Sequence, residues 1–351
     1  MQFKRDYPTA VEFNLERNYR SNQIILDAAY SIINKNTTHP ILKLWTDKIT
    51  GPKIILYEAR SEHDEAMYIT QTILQSGKPF SEIAVLYRTN AQSRVIEEAF
   101  LHAGIPYILV GGIKFYERKE IKDVLSYLRL VANPRDSVSL KRAEKIGTKR
   151  LKSLLNFIEQ RNRQHLLVNL TTLEILDAVL EATAYLELYD ANVEEEQYRL
   201  ENIKELRSVA TEFPLLTDFL QNVALTQQEY ISGRMKLADK ERQSVTLMTL
   251  HAAKGLEFAQ VYVVGMEEGL FPHSRSLMDR EELEEERRLC YVGITRAKDQ
   301  LYLTYANRRL YFGTRTQNMV SRFIADIPQH LLNYQVSLDS ARGFQTDDYL
   351  L

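Results

Sequence analysis

Short apolar runs without polar alternation, each followed by a stretch of helical periodicity, constrain this chain more than any other feature. In the first part the runs 11–15, 53–58 and 83–87 are followed by helical patterns at 22–34, 62–74 and 91–103. The texture resumes with runs at 245–250, 260–265 and 301–305 and a charged helix over 279–294. A strand that is apolar on both faces needs cover on both, so the fold expected is α/β, a parallel sheet with helices on both faces. Ser21 and Asn90 stand where helix N-caps belong.

Between Phe115 and Lys240 the chain is rich in Leu, Glu, Lys and Arg and nearly free of β-branched runs, which predicts helices. The simplest organisation is one α/β domain split by a helical insertion: 1–114 and 241–335 for the two parts of the sheet, 115–240 for the insertion, and 336–351 for a tail without periodicity. Asn133-Pro134-Arg135-Asp136 reads as a turn within the insertion, and Ser232-Gly233 with 238–243 as its return linker. A chain of 351 residues, 44% hydrophobic, is long enough for about two domains.

Several function classes drop out. With 45 Lys+Arg against 47 Asp+Glu, any polyanion must be held by local basic patches rather than by the overall field. The single cysteine, Cys290, cannot form an intrachain disulfide, and no Cys/His cluster has metal-ligand spacing, so no metal site is expected. Residues 1–10 have no apolar core, and no stretch approaches the roughly 20 apolar residues of a membrane span. A cytoplasmic protein without a membrane partner is expected.

An α/β chain prompts a search for the phosphate-cradling loop Gly-x-x-x-x-Gly-Lys-Ser/Thr. Gly77-Lys78 runs into Pro79, and Gly147-Thr148-Lys149 has the wrong order. The apolar run ending Val264-Gly265-Met266-Glu267-Glu268 lacks the Asp that would hold magnesium at a strand end. A self-contained nucleotide-hydrolysing site is therefore not expected. What the chain offers instead is Arg and aromatic residues at element ends. Asn18-Tyr19-Arg20-Ser21 puts a ring and a guanidinium between a strand and a helix, at the edge where α/β sheets bind ligands. Leu250-His251-Ala252-Ala253-Lys254-Gly255-Leu256-Glu257-Phe258 follows a strand with small residues that let a ligand approach closely. Glu284-Glu285-Glu286-Arg287-Arg288 reads as a solvated helical face with Glu284 pairing to Arg288. The same helix turns apolar through Ile294 and ends on Thr295-Arg296, and an arginine at a buried end needs an anion.

Together these segments resemble the C-terminal half of the UvrD/PcrA/Rep type of superfamily 1 DNA helicases, nearest its PcrA branch, over nearly the whole chain. Leu15-Glu16-Arg17-Asn18-Tyr19-Arg20-Ser21 is similar to motif IV, and the stretch from Thr246 to Phe258 to motif V. The stretch from Glu285 to Lys298 is similar to motif VI; Val85 to Arg94 and Gly111 to Arg118 resemble segments that follow motif IV. The resemblance implies a RecA-like sheet, P-loop NTPase-like without its own P-loop, interrupted by a mainly helical inserted domain. Motifs I to III, with the phosphate loop and the magnesium carboxylates, would lie upstream of Met1, and a start so close to motif IV suggests a fragment.

Carried over residue by residue, the resemblance implies that Tyr19 stacks on adenine and that Arg20 and Arg296 are the catalytic arginines reaching the γ-phosphate from across a cleft. Glu257 would bind the ribose, with Lys254 close to the same junction. Arg88, Asn90, Lys114, His251 and His273 occupy positions that contact single-stranded DNA; for His273, in Phe271-Pro272-His273-Ser274, a turn cap is the open alternative. The implied cofactor is ATP with Mg, the metal being held by the N-terminal half. The implied partners are single-stranded DNA, ss/ds DNA junctions, the N-terminal RecA-like half of the same protein, and repair or replication proteins. The implied activity is 3′ to 5′ translocation and unwinding, absent from this chain alone. In the family the insertion carries a Pro and then Gly-Ile-Gly that touch duplex backbone; here Ala143-Glu144-Lys145-Ile146-Gly147 keeps only Ile-Gly. The competing reading is a stand-alone regulatory module that binds single-stranded DNA or protein and never meets ATP.

Overall fold

In the computed structural model, residues 5–7, 9–11, 13–37, 41–163, 170–237 and 243–337 are described. The body alternates strand and helix: α1 Gln23–Ile33, β1 Ile54–Ala59, α2 Glu62–Gln75, β2 Ile83–Tyr87, α3 Ser93–His102 and β3 Tyr107–Val110. It resumes with β4 Val245–Thr249, β5 Phe258–Val263, α10 Arg280–Ile294, β6 Ala297–Ala306, the short pair β7 Arg309–Tyr311 and β8 Thr314–Thr316, α11 Arg322–Ala325 and β9 Leu332–Val336. Among the described residues, six α-helices run between β3 and β4: α4 Lys119–Ala132, α5 Ser137–Ile146, α6 Thr148–Arg163, α7 Thr172–Thr183, α8 Glu194–Glu212 and α9 Leu216–Leu237.

Seven strands form one sheet in the order β3-β4-β2-β5-β6-β1-β9, and each neighbouring pair is parallel. The absence of polar alternation has its cause here: every residue of β2 and β5 is buried. Ala84 and Leu86 of β2 face a core shared with α1 and α10, whereas Ile83, Val85 and Tyr87 face one shared with α2 and α3. This is the RecA-like α/β sheet with helices on both faces. The six intervening helices enclose a core of their own, built on Phe115, Leu125, Leu128, Leu176, Leu206 and Tyr230.

The structure corrects several expectations. Residues 11 and 13–15 join no sheet, and Val11, Phe13 and Leu15 are exposed. Their run, Val-Glu-Phe-Asn-Leu, alternates with period two, unlike the buried strands, and both edges of the sheet are taken by β3 and β9. The cap of α1 is Asn22, whose side chain accepts from Ile25 N; Ser21 instead donates its hydroxyl to the Ala297 carbonyl at 2.6 Å. Asn90 begins a 3-10 turn over Asn90–Gln92, and α3 starts only at Ser93. Ser232 and Gly233 lie within α9. Val336 closes β9 rather than opening a tail; 338–351 and the linker residues 238–242 fall outside the described residues. Two strands of the sheet lie outside the expectations: β3, although Tyr107-Ile108-Leu109-Val110 before Gly111-Gly112 is an apolar run, and β9, whose Leu-Asn-Tyr-Gln-Val is polar enough for an edge. The acidic run of α10 is only partly a solvated face, because Glu284 and Glu286 are buried. Glu284 accepts from Thr37 N and Oγ1 at 3.1 and 3.0 Å and keeps Arg288 at 3.7 Å.

Candidate functional site

The expected residues separate onto opposite edges of the sheet. Glu257 precedes β5 and Arg296 precedes β6, so both stand at the amino ends of neighbouring strands. Arg88 follows β2 and His251 follows β4, at the carboxyl ends. Placing Tyr19 and Arg20 at the carboxyl edge, as the strand-to-helix context predicts, is therefore corrected: Ser21 and Asn22 bond to Ala297 and Lys298 at the start of β6.

At the amino edge, the Asn18 side chain accepts from the backbone N–H of Arg20 and Ser21 at 2.8 and 2.9 Å, a local turn that leaves the Tyr19 ring outside. Tyr19 is 75% exposed. Arg20 donates from Nε to Glu257 Oε2 at 2.7 Å and from Nη1 to the Thr295 carbonyl at 3.2 Å. Lys298 Nζ lies 2.8 Å from the other Glu257 oxygen, and Lys48 Nζ donates to the Arg20 carbonyl at 2.8 Å. Hydrogen bonds from Arg20 and Lys298 hold the Glu257 carboxyl down at about 2. Arg17, Tyr19, Arg20, Lys48, Glu257 and Lys298 with Asn18 line a cavity of about 510 Å³, four cations against one carboxylate.

Arg296 stands directly behind. Its donors go to the Val292 carbonyl (2.8 Å), the Leu256 carbonyl (3.1 Å) and Thr295 Oγ1 (3.2 Å), all neutral acceptors. Burial and the nearby Arg20 guanidinium push its pKa down. Two guanidiniums that hold opposite sides of Thr295, only one of them paired to an acid, leave an uncompensated positive charge. Tyr19, Arg20 and Glu257 thus line one cavity, and Arg296 lies next to them through its bonds to Leu256 and Thr295 without lining it. Lys254 is exposed and is not among the residues that line this cavity.

At the carboxyl edge a second cavity, about 340 Å³, brings Arg88, His251 and His273 together. Arg88 Nε donates to Glu286 Oε1 at 2.8 Å, and Glu286 Oε2 accepts the His273 backbone N–H at 3.0 Å. The His273 Nδ1 accepts from Arg275 N at 3.5 Å as the cap of a 3-10 turn over Ser274–Met278, and its Nε2 faces Glu201 of α8 at 3.4 Å. The turn-cap role is thus realised, in a site that also holds the other two residues. Burial, then the Arg88 charge, lowers the His251 pKa. Asn90 and Lys114 stay apart from this cavity. The Asn90 carbonyl accepts from Arg118 at 3.1 Å, and the Lys114 ammonium lies over the Tyr230 and Tyr107 rings at 4.5 and 5.4 Å.

Sequence reasoning missed Lys48, Lys298 and Glu286, none of which carries a local signal; each is placed by a pairing across the fold. Arg17 was in view only as part of a motif. Glu62, His63 and Glu212 group closely enough to suit a metal ion, but they line neither cavity. Among the described residues no helix is long and apolar enough to cross a membrane.

Comparison with known proteins identifies the family of the chain. The family model for the UvrD-like helicase C-terminal domain matches residues 13–196 and 168–308. The chain is 42% identical to the ATP-dependent DNA helicase PcrA of Staphylococcus epidermidis, over 95% of this chain and 52% of that protein. It is 43% identical to the ATP-dependent DNA helicase PcrA of Bacillus subtilis, over 95% of this chain and 51% of that one. The chain thus spans about half the length of the curated relatives it matches. A crystallised C-terminal domain of a possible DNA helicase from Lactobacillus plantarum WCFS1 covers 90% of this chain and 98% of its own, at 12% identity and a TM-score of 0.39, a likeness too loose to carry a functional statement. With its motif-bearing residues gathered at two edges of one parallel sheet and the family model matched across most of its length, the chain belongs to the UvrD-like helicase C-terminal domain family.

Proposed function

We propose that this chain is the second motor domain of an ATP-dependent 3′ to 5′ DNA helicase and single-strand translocase of the PcrA kind. In this reading 1–114 and 241–335 form the RecA-like domain and 115–240 its inserted domain. ATP with magnesium is the substrate, and the N-terminal RecA-like half completes its site. Arg296, held by neutral acceptors and close to Arg20, which itself lines a cationic cavity with an exposed ring, carries the proposal. A module that never meets a triphosphate gains nothing from two guanidiniums held this close beside an exposed ring and a carboxylate partner.

The chemistry follows from charge. As a γ-phosphoryl group loosens, negative charge shifts among its oxygens, and an arginine delivered from a second domain contributes about 10³ to 10⁵ in rate. Arg296, held by neutral carbonyls, keeps its full charge for that moment. Glu257 aims Arg20 while offering its carboxylate toward the ribose, and Tyr19 presents a face to adenine. Lys254, outside the cavity, is assigned to the domain junction rather than to the nucleotide. Glu257 is the single carboxylate among the described residues that line the cavity, each of its oxygens meeting one cation and keeping room for a ribose hydroxyl, and the magnesium ligands are assigned to the other half. Because Arg20 and Arg296 act on a phosphate cradled elsewhere, hydrolysis requires closure of the two halves, which couples it to motion.

At the opposite edge Arg88, His251 and His273 meet the phosphate backbone of single-stranded DNA without reading sequence, and Asn90 and Lys114 extend that track. Sites on opposite edges of one rigid sheet let closure at one change the grip at the other. Repair or replication is the setting, with ss/ds junctions as the substrate. The test mixes this chain with a separately made N-terminal half and measures DNA-stimulated ATP hydrolysis. Stimulation is expected with wild type and lost with Arg296→Ala. No stimulation by wild type, or equal stimulation by the variant, would sink the proposal.

A further inference from the structure

A stack of three side chains stands beside the cationic cavity, and only one of them is used by the function proposed above. Residues 16–18 pair with Trp45: Trp45 N donates to the Glu16 carbonyl at 3.0 Å and Asn18 N to the Trp45 carbonyl at 2.7 Å. That parallel bridge sets Arg17 beside Trp45. The Arg17 guanidinium lies over both rings, 5.4 Å from the Trp45 centroid and 4.9 Å from the Tyr19 centroid. Asp47 fixes it with a hydrogen-bonded ion pair. Arg17 and Tyr19 both line the cavity, and Trp45 lies outside its lining.

We infer that Arg17 is a positioning residue for nucleotide binding, a planar cation held by Trp45 and Asp47 that fixes the Tyr19 ring so that its free face is ready for the base. This rests on the reading that Tyr19 stacks on adenine. Tyr19 is mostly exposed, and a ring held only by its own rotamer preferences would lose that freedom at the moment of binding. Stacking by a flat guanidinium removes part of the loss in advance, and a lysine ammonium, which is a point charge, cannot do the same. Asp47 and Trp45 matter because Arg17 is itself half-exposed and would otherwise wander. The same stack covers one face of Tyr19, which leaves the base the face toward the cavity that Arg20 and Lys48 line.

The experiment uses the chain complemented by the N-terminal half of a UvrD-type helicase, with ATP as the probe in DNA-stimulated hydrolysis. Arg17→Gln and Arg17→Lys are expected to raise KM for ATP about two- to tenfold, the range for ordering one side chain, with kcat changed less than about twofold. Tyr19→Ala should raise KM at least as much, and adding Arg17→Gln to it should change nothing further, because Arg17 acts through the ring. Trp45, the single tryptophan, reports on the stack itself. Its fluorescence should become more open to acrylamide quenching in Arg17→Gln while circular dichroism is unchanged. Additive effects in the double variant, an unaltered or lowered KM in both Arg17 variants, or unaltered quenching would overturn the inference. If Tyr19→Ala itself leaves KM unchanged, the adenine assignment falls and this inference with it.

Discussion

Arg20 and Glu257, 237 residues apart in the chain, are joined by a 2.7 Å hydrogen bond from guanidinium Nε to carboxylate Oε2. This contact brings the segment before α1 to the turn before β5, and with Lys298 it keeps Glu257 ionised far into the acid range. The carboxyl resonance of Glu257, assigned with Glu257→Gln, is expected to remain flat as pH falls from 7 to about 4, because its pKa is held at about 2. A free glutamate near 4.5 would already be titrating there. A midpoint at or above 4 would mean that the bridge is not kept in solution.

Arg88 has a partner in Glu286, so in the proposed function its part in DNA binding is a competition between a carboxylate and a phosphate. Arg88→Ala should weaken binding of single-stranded DNA by the complemented protein regardless of sequence. It should also reduce the slope of log K against log salt by about 0.7, one phosphate contact on a single strand. An unchanged slope would remove Arg88 from the DNA track.

The insertion docks on the body through a buried group with excess acid. Arg94 of α3, 1% exposed at its side chain, faces Glu98 at 2.9 Å, Glu205 at 2.8 Å and Glu212 at 3.6 Å. One guanidinium cannot neutralise three carboxylates, and burial drives the Glu205 carboxyl up to about 7. The sign follows: the folded state holds a proton that the unfolded chain releases near 4.5, so stability falls as pH rises from about 4.5 to about 7 and the loss is complete above that. Thermal melts of wild type and Glu205→Gln should therefore diverge across that window, wild type losing ground. Parallel pH profiles for the two proteins would contradict it.

Gly293 of α10 lies against the residue that follows β4. A Cβ there would sit 2.3 Å from Leu250 Cδ2, and Leu250 is fully buried. Gly293→Ala should destabilise the chain by about 1–3 kcal/mol, the usual range for overpacking, as a lower denaturant midpoint with unchanged m-value. Leu250→Ala, which opens the space, should relieve part of that loss in the double variant.

Sequence alone determined most of the elements, because they rest on local pattern, whereas the residues proposed to meet the nucleotide came from the resemblance of motifs IV, V and VI. Runs such as 83–87 and 260–265 must be covered on two faces, whereas Arg296, expected from its helix end to meet an anion, is held in this chain by neutral oxygens. It also misjudged where local pattern is ambiguous: the alternating run 11–15 looked like one more strand, and Glu284 and Glu286 looked solvated until Thr37 and Arg88 supplied their partners. Only the tertiary structure decided the order of strands, and with it which edge each loop reaches. Parallel β5 and β6 carry Glu257 and Arg296 to the amino edge, whereas β2 and β4 carry Arg88 and His251 to the carboxyl edge. Strand order is fixed by packing over hundreds of residues of separation, so no window of sequence contains it.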